Sequence, residues 1–473
     1  MRLLGTDADS IPARPASPGP GVRIMSPDEL LAHARTIVSQ MRTDFASVRI
    51  EHTATSVTRI ANDRIRQTND GDELTVLLEM QDGNRQGVSL TLNQLDPDRI
   101  AAAIAYLDPI ARAQRGDPAP IIVHLPPRTY LHNTTWYPAT AAALNDAPTR
   151  IVPALTQPLL DAGYGASAFI GVRAFSTALV HTEGIDVGGH ETDVEVTLTG
   201  WTHDQKGSGW AGRAARDWKA IDPAAVAGDA LHLTRLSENP VAFEPGRRTA
   251  ILGRPAVAQI MYLMARDIDA LQSITPLFNP QTGLARIHER VVDPRITLRS
   301  DPNDPEGGYL PFNYRGHPLI PMTWIERGVL VQLPTYAVAA ADYGVTPTNY
   351  PPSSLHMEGG TDTIDEMIAN CKEGIYVNRL AALEKVDWHT GMMTGVTSGG
   401  CFLVRNGKIE KPIRDLRFLD SPYFFLNNLV AIGASARSAF GYAPTLDQWP
   451  LAPTIVPPIM VRDFNFIAMA DAV

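Results

Sequence analysis

Cysteine is almost missing from this sequence: Cys371 and Cys401 are the two in 473 residues. Two thiols allow at most one disulfide, so no disulfide framework holds the fold, and a reducing compartment, the cytoplasm, is expected. Long apolar runs are missing as well. None reaches the ~18 residues that a membrane-spanning helix needs. The opening stretch "MRLLGTDADSIPARPASPGPGVRI" lacks the apolar core of a signal peptide. Basic residues are not in excess: 41 Lys and Arg face 51 Asp and Glu, for a net charge of −10. Neither nucleic acid nor a membrane is an expected partner, because phosphate contact needs a basic face.

The familiar catalytic motifs are absent too. The twelve histidines include no pair at metal-ligand spacing, and there is no HExxH, CxxC or GxSxG. "HETDVE" (190–195) and "HERVVD" (288–293) begin like zinc-protease motifs but lack the second histidine. A helical zinc site needs two imidazoles on one face, so both are expected to be structural. "GSGWAG" (207–212) fits GxGxxG, yet Trp210 would crowd a pyrophosphate and Pro223 comes too early for the usual crossover helix. A hairpin strand is the expectation there. Cys401 heads an apolar strand and reads as a buried strand residue.

Proline and glycine are plentiful, 38 and 36 residues, and point to many turns and strands. The length implies two or three domains. Ser26-Pro27-Asp28-Glu29 opens a helix to about Met41, with Ser26 as N-cap and acids in the first turn. Residues 47–69 alternate apolar and polar side chains around the turn "NDR". "ELTVLLEM", "QDGN" and "RQGVSLTL" form a hairpin, and "LDPDRIAAAIAYLDPIARAQR" a helix. The order returns in "STALVHTEG", "DVEVTLTG", "GWAGRAARDW" and "IDPAAVAGDALHLTRL". Residues 56–112 and 176–235 thus read as two copies of one strand–strand–strand–helix unit. The expected class is α+β: a flexible arm over 1–25, an N-terminal α/β domain over 26–243 with the repeated units, and a mainly β C-terminal domain over 244–473 dominated by short strands.

One stretch carries a question about chemistry. In "TAILGRPAVAQIMYLMARDIDALQS" (249–273) a short strand stops at Gly253, and Pro255 starts a helix expected over Ala256–Leu271. The loop "DPNDPEGGYLPFNYRGHP" (301–318) is of the glycine-punctuated kind that borders binding grooves. Gly307, Gly308 and Asn313 in it, with Ser398 and Gly399 ahead of Cys401, are candidate groove residues.

Over about 400 residues the chain resembles the TldD/TldE (PmbA) family, also called the modulator of DNA gyrase family. The resemblance is carried by "TRIANDRIRQTNDGDELTVLLEMQDGNRQGVSLT", "TAILGRPAVAQIM", "RITLRSDP", "PFNYRGHPLIPMTWIERGVLVQLPTYAVAAADYGVTPT", "CKEGIYVNRL", "TGVTSGGCFLVRNGKIEKPIRDLRF" and "NNLVAIG", in family order. Residues 113–165 fall outside it. TldD-like subunits of the family carry His-Glu-x-x-x-His on the helix after the strand-ending glycine, and a cysteine near the C-terminus completes a zinc site. TldE-like subunits lack these ligands and pair with a TldD-like one. An ungapped match from Gly253 puts Tyr262 and Leu263 at the His-Glu positions and Asp267 at the second histidine, and 441–448 has no cysteine.

The resemblance therefore implies a metal-free TldE-like subunit with no catalytic, cofactor or metal residue of its own. Met261, Leu263 and Met264 would fill the old site by packing. Zinc would sit in a TldD-like metallopeptidase partner, which cuts unfolded or small ribosomal peptides, natural-product precursors among them, by metal-activated water. "PFNYRG" departs from the family, with Asn313, Tyr314 and Arg315 where many members are acidic. Two alternatives stay open: a stand-alone binding protein that engages another protein, and a metallopeptidase with a different ligand set such as His288, His317 or Cys401. A homodimer is an alternative assembly for the isolated chain.

Overall fold

The structure is a computed structural model and describes residues 23–61, 63–116, 129–145, 147–269, 274–334, 354–440 and 453–470. Most of the arm expected over 1–25, the end of the helix expected to reach Leu271, and the 441–448 stretch lie outside the described residues.

Helix α1 (Pro27–Val38) is set by a complete capping box between Ser26 and Glu29 and ends three residues before the expected Met41. It is followed by β1 (Phe45–Ala61), β2 (Arg64–Gln81), β3 (Val88–Leu92) and α2 (Pro97–Ala113). Three short helices come next: α3 (Pro138–Ala142), α4 (Ala147–Arg150) and α5 (Val152–Asp161). Then β4 (Gly165–His181), β5 (Asp186–Trp201), β6 (Ser208–Ala215) and α6 (Pro223–Leu236) repeat the pattern. Each copy begins earlier than the sequence indicates, because positions 56 and 176 fall inside β1 and β4. The preceding helices α1 and α5 belong to the unit as well.

The six strands form one antiparallel sheet in the order β3-β2-β1-β4-β5-β6, so the two copies meet at β1 and β4. Period-two alternation divides this sheet into two faces. Ile170, Val172 and Ala174 of β4 and Val194, Val196 and Leu198 of β5 pack with Leu155, Leu159, Val226 and Ala230 of α5 and α6. Val48, Ile50, Val76 and Leu78 pack in the same way with Leu30, Ile37, Ile100 and Leu107 of α1 and α2. All four helices thus cover one face. The other face meets the rest of the chain. "GSGWAG" lies in and beside β6, and its glycines serve packing: a Cβ on Gly209 would stand 2.2 Å from the Thr234 amide of α6.

Beyond residue 245 come β7 (Gly246–Leu252), α7 (Arg254–Ala265), β8 (Leu298–Ser300), β9 (Met322–Glu326), β10 (Val329–Leu330), β11 (Leu355–Met357) and α8 (Ile364–Ala369). They are followed by β12 (Glu373–Asp387), β13 (Met392–Arg405), β14 (Lys408–Pro412), β15 (Leu416–Asp420) and α9 (Pro422–Phe425). The last strands are β16 (Leu429–Ile432), β17 (Ala436–Arg437), β18 (Thr454–Val456) and β19 (Ile459–Met469). Strands β12, β7, β19, β15 and β13 pair in sequence, and β12 also pairs β13, so the five close into a barrel. A second sheet runs β10-β9-β8-β11-β18-β17. Helix α7 lies between them, inside the largest apolar core. The sequence points to a half dominated by short strands, yet β12 and β13 have 15 and 14 residues. Closure of the barrel pairs them along most of that length.

Candidate functional site

The Gly253 amide donates to the Val377 carbonyl of β12 at 2.8 Å, tying the β7–α7 turn to the barrel wall. Helix α7 ends at Ala265, and its face toward the core holds Ala256, Val257, Ile260, Met261 and Met264, each at most 1% exposed. Leu263 packs against the rim of that core. Tyr262 lies edge-on to Phe440, with ring centroids 5.7 Å apart. Asp267 follows the helix and is fully buried. It ion-pairs with Lys385 and accepts from the Tyr423 hydroxyl at 3.1 Å. Burial pushes the Asp267 carboxyl up, against the pull of Lys385 and Tyr423.

Zinc needs several ligands converging on one point with free lone pairs. Tyr262 faces Phe440, Leu263 has no donor atom, and Asp267 is neutralised by a lysine. These three positions do not fit a zinc ion. Among the described residues no group of three or more His, Cys, Asp or Glu side chains could hold a metal. His288 is exposed on left-handed backbone at φ 69°. His317 closes a loop in which Asn313 Oδ1 accepts from the Arg315 and His317 amides at 2.9 and 3.1 Å. Cys401 is buried in β13, and burial pushes its thiol well up.

The loop 301–318 is held by Asp304. Its Oδ1 accepts from the Glu306 and Gly307 amides at 3.0 Å, and its Oδ2 lies 2.6 Å from His356 Nδ1. Burial acts to raise this carboxyl, but His356 and the two amides hold it far below the usual carboxylate range. The segment 129–137 packs on this loop: Tyr130 donates to the Gly316 carbonyl at 2.7 Å, and Asn133 to those of Pro302 and Tyr309. The Gly308 carbonyl accepts from Arg216. Gly399, at φ 62°, offers its carbonyl to Asn378 Nδ2 at 2.8 Å, and Ser398 is half-buried next to it. The five groove candidates thus fall into two places, Gly307, Gly308 and Asn313 by the loop, and Ser398 and Gly399 in β13.

Between the N-terminal sheet and the C-terminal half lies a buried layer of charge that motif reading missed. "HETDVE" is part of β5, so Glu191, Asp193 and Glu195 share the face turned from the helices. Arg173 reaches Glu191 at 3.0 Å, and Asp193 takes Arg216 at 2.8 Å and Arg437 at 2.7 Å. Glu195 accepts from the Phe440 amide at 3.1 Å. Burial acts to raise Asp193, yet Arg216, Arg437 and Arg173 together hold its carboxyl below the ordinary range. Burial pushes Arg379 down to about 10, opposed by Glu195. Its guanidinium lies 5.0 Å from the Trp210 ring and donates to the Phe440 carbonyl at 3.3 Å. Acids at period two inside a strand were the available signal.

A cavity of about 580 Å³ adjoins this layer. Trp210 and Arg213 of β6, Leu233 of α6, Arg254 at the start of α7, Ile368 of α8 and Tyr376 of β12 line it. None of the five groove candidates is among its lining residues.

Residues 245–468 match the PmbA/TldA metallopeptidase C-terminal domain. A metalloprotease of Archaeoglobus fulgidus is 25% identical over 187 residues, 37% of this chain and 43% of its own length. The matched stretch thus spans less than half of that relative. Among solved structures, TldE from Thermococcus kodakarensis superposes with a TM-score of 0.78 at 15% identity, over 93% of this chain and 99% of its own. A proposed modulator of DNA gyrase from Bacteroides thetaiotaomicron gives 0.77 at 18% identity, over 93% and 98%. Residues 245–468 are thus similar to the PmbA/TldA metallopeptidase C-terminal domain, and the chain shares its α+β fold with these solved structures.

Proposed function

We propose that this chain is the metal-free, TldE-like subunit of a two-subunit metallopeptidase that acts on unfolded or small ribosomal peptides. The observation that carries this reading is the state of the helix after Gly253. Tyr262 is packed on Phe440, Leu263 is apolar, and Asp267 is neutralised by Lys385. The glutamate that would serve as general base is absent from the helix. A TldD-like partner supplies the zinc and the water it activates. This chain supplies a rigid wall, in which the buried acid–arginine layer fixes the N-terminal sheet against the barrel.

Co-expression with a TldD-like subunit, purified through a tag on this chain, tests the reading. One zinc per pair and peptide cleavage by the pair alone are expected. Zinc bound and peptide cut by this chain in isolation would overturn it.

A further inference from the structure

The cavity beside β6 has a charge pattern that its own residues leave open. Arg213 is paired with Asp229 at 2.6 Å, and Arg437 with Asp193 at 2.7 Å. Arg254 has no carboxylate within 4 Å among the described residues. Its Nε donates to the Val456 carbonyl and its Nη2 to the Ala434 carbonyl, both at 3.2 Å. Burial holds its guanidinium below the ordinary range, and Arg213 adds to this while Glu306 opposes it. A half-buried cation satisfied by carbonyls alone leaves charge for an anion to neutralise.

The rest of the wall restricts which anion. Leu233, Leu236, Ile364 and Ile368 make one side apolar. Asp365 also lines the cavity and would repel a doubly charged phosphate more than a single charge. A single negative charge joined to an apolar body matches both features. At about 580 Å³ the cavity is in the range of small-ligand sites and larger than one side chain requires.

We propose that this cavity holds the carboxylate end of a peptide whose last residues are apolar, with Arg254 as the carboxylate anchor. The proposal rests on the peptide-handling role above and names the part of the peptide this chain would hold. Arg254 then acts as a specificity residue at a distance from the partner's chemistry.

Titration calorimetry on the full purified chain tests this with three probes: N-acetyl-Ala-Leu-Leu, its C-terminal amide, and inorganic phosphate. The free acid is expected to bind at least about tenfold more tightly than the amide, the scale of a charge-assisted hydrogen bond. Arg254→Gln should erase that difference, and Arg254→Lys, which keeps the charge, should retain part of it. Ile368→Trp, which fills the apolar side, should weaken the acid while leaving the melting curve in place. Equal binding of acid and amide, no binding of either, or phosphate binding as tightly as the peptide would overturn the proposal, as would unweakened binding by Ile368→Trp. No partner is needed for this measurement, so a failure to form a complex with a TldD-like subunit bears on the subunit reading alone.

Discussion

Lys385 donates its ammonium group to Asp267 in a pair that water barely reaches, the two side chains being 4% and 0% exposed. Asp267 stands where the family resemblance places a second metal-binding histidine. The lysine comes from β12, far along the chain, and Tyr423 donates to the other carboxylate oxygen. Trp388 lies under the ammonium at 4.5 Å. The position is thus built into the packing of α7 against the barrel, and a cation occupies the space beside it.

Removing one partner leaves the other charged and buried. Lys385→Met or Asp267→Leu should each cost about 3–5 kcal/mol, whereas the two together should recover most of the loss. Urea unfolding of the single and double variants reads the coupling. Additive losses would show that the pair is not interacting.

Writing the family motif back into the helix should not restore a site. Tyr262→His, Leu263→Glu and Asp267→His together leave Lys385 without its carboxylate and put a carboxylate beside the core. The expected outcome is a lower melting temperature with no stoichiometric zinc, read by calorimetry and metal analysis. Tight zinc binding by this variant would show that the lysine does not guard the position.

Asp193 holds Arg216 and Arg437 across the junction of the two halves, with all three side chains at most 7% exposed. Asp193→Asn should cost about 3–5 kcal/mol at neutral pH, because buried Arg437 loses its carboxylate and buried Arg216 keeps only Glu191, at 3.5 Å. The native carboxyl lies below its usual range, so its contribution is full above about pH 4 and is lost as pH falls further. Thermal melts at pH 7 and pH 3 should show a large difference between native and variant at the first and a smaller one at the second.

Asp415 behaves in the opposite sense. Burial pushes it up to about 6 from 3.8, although Thr397 donates to it at 2.9 Å. Between those pH values the unfolded chain has released a proton that the folded chain still holds. Stability from this group therefore falls as pH rises from about 4 through 6. Asp415→Asn keeps an acceptor for Thr397 and should gain about 2–3 kcal/mol at pH 7.5 and little at pH 4. An equal gain at both pH values in urea melts would contradict the assignment.

Gly399 sits at φ 62°, and a Cβ there would lie 2.4 Å from Trp210 Cβ. Gly399→Ala should destabilise by roughly 1–3 kcal/mol or more, through left-handed strain and displacement of the tryptophan. The loss should appear as a lower melting temperature together with an altered near-ultraviolet tryptophan signal.

The sequence by itself determined those parts of the protein that rest on local periodicity and local chemistry. The Ser26–Glu29 capping box, the alternation in β1, β2, β4 and β5, the helices opened by Asp-Pro, and the repeat of one unit all follow from neighbours within a few residues. So does the apolar face of α7, which argues for packing at Met261 and Met264 without any view of their partners. What the tertiary structure decided depends on chain segments that no local pattern joins. Lys385 meets Asp267 across 118 residues and Arg437 meets Asp193 across 244. The barrel closes only when β12 finds both β7 and β13. The acids of "HETDVE" look like a failed metal motif in sequence. The sheet turns all three to the face opposite the helices, and arginines from distant strands and loops decide that they bind the two halves together.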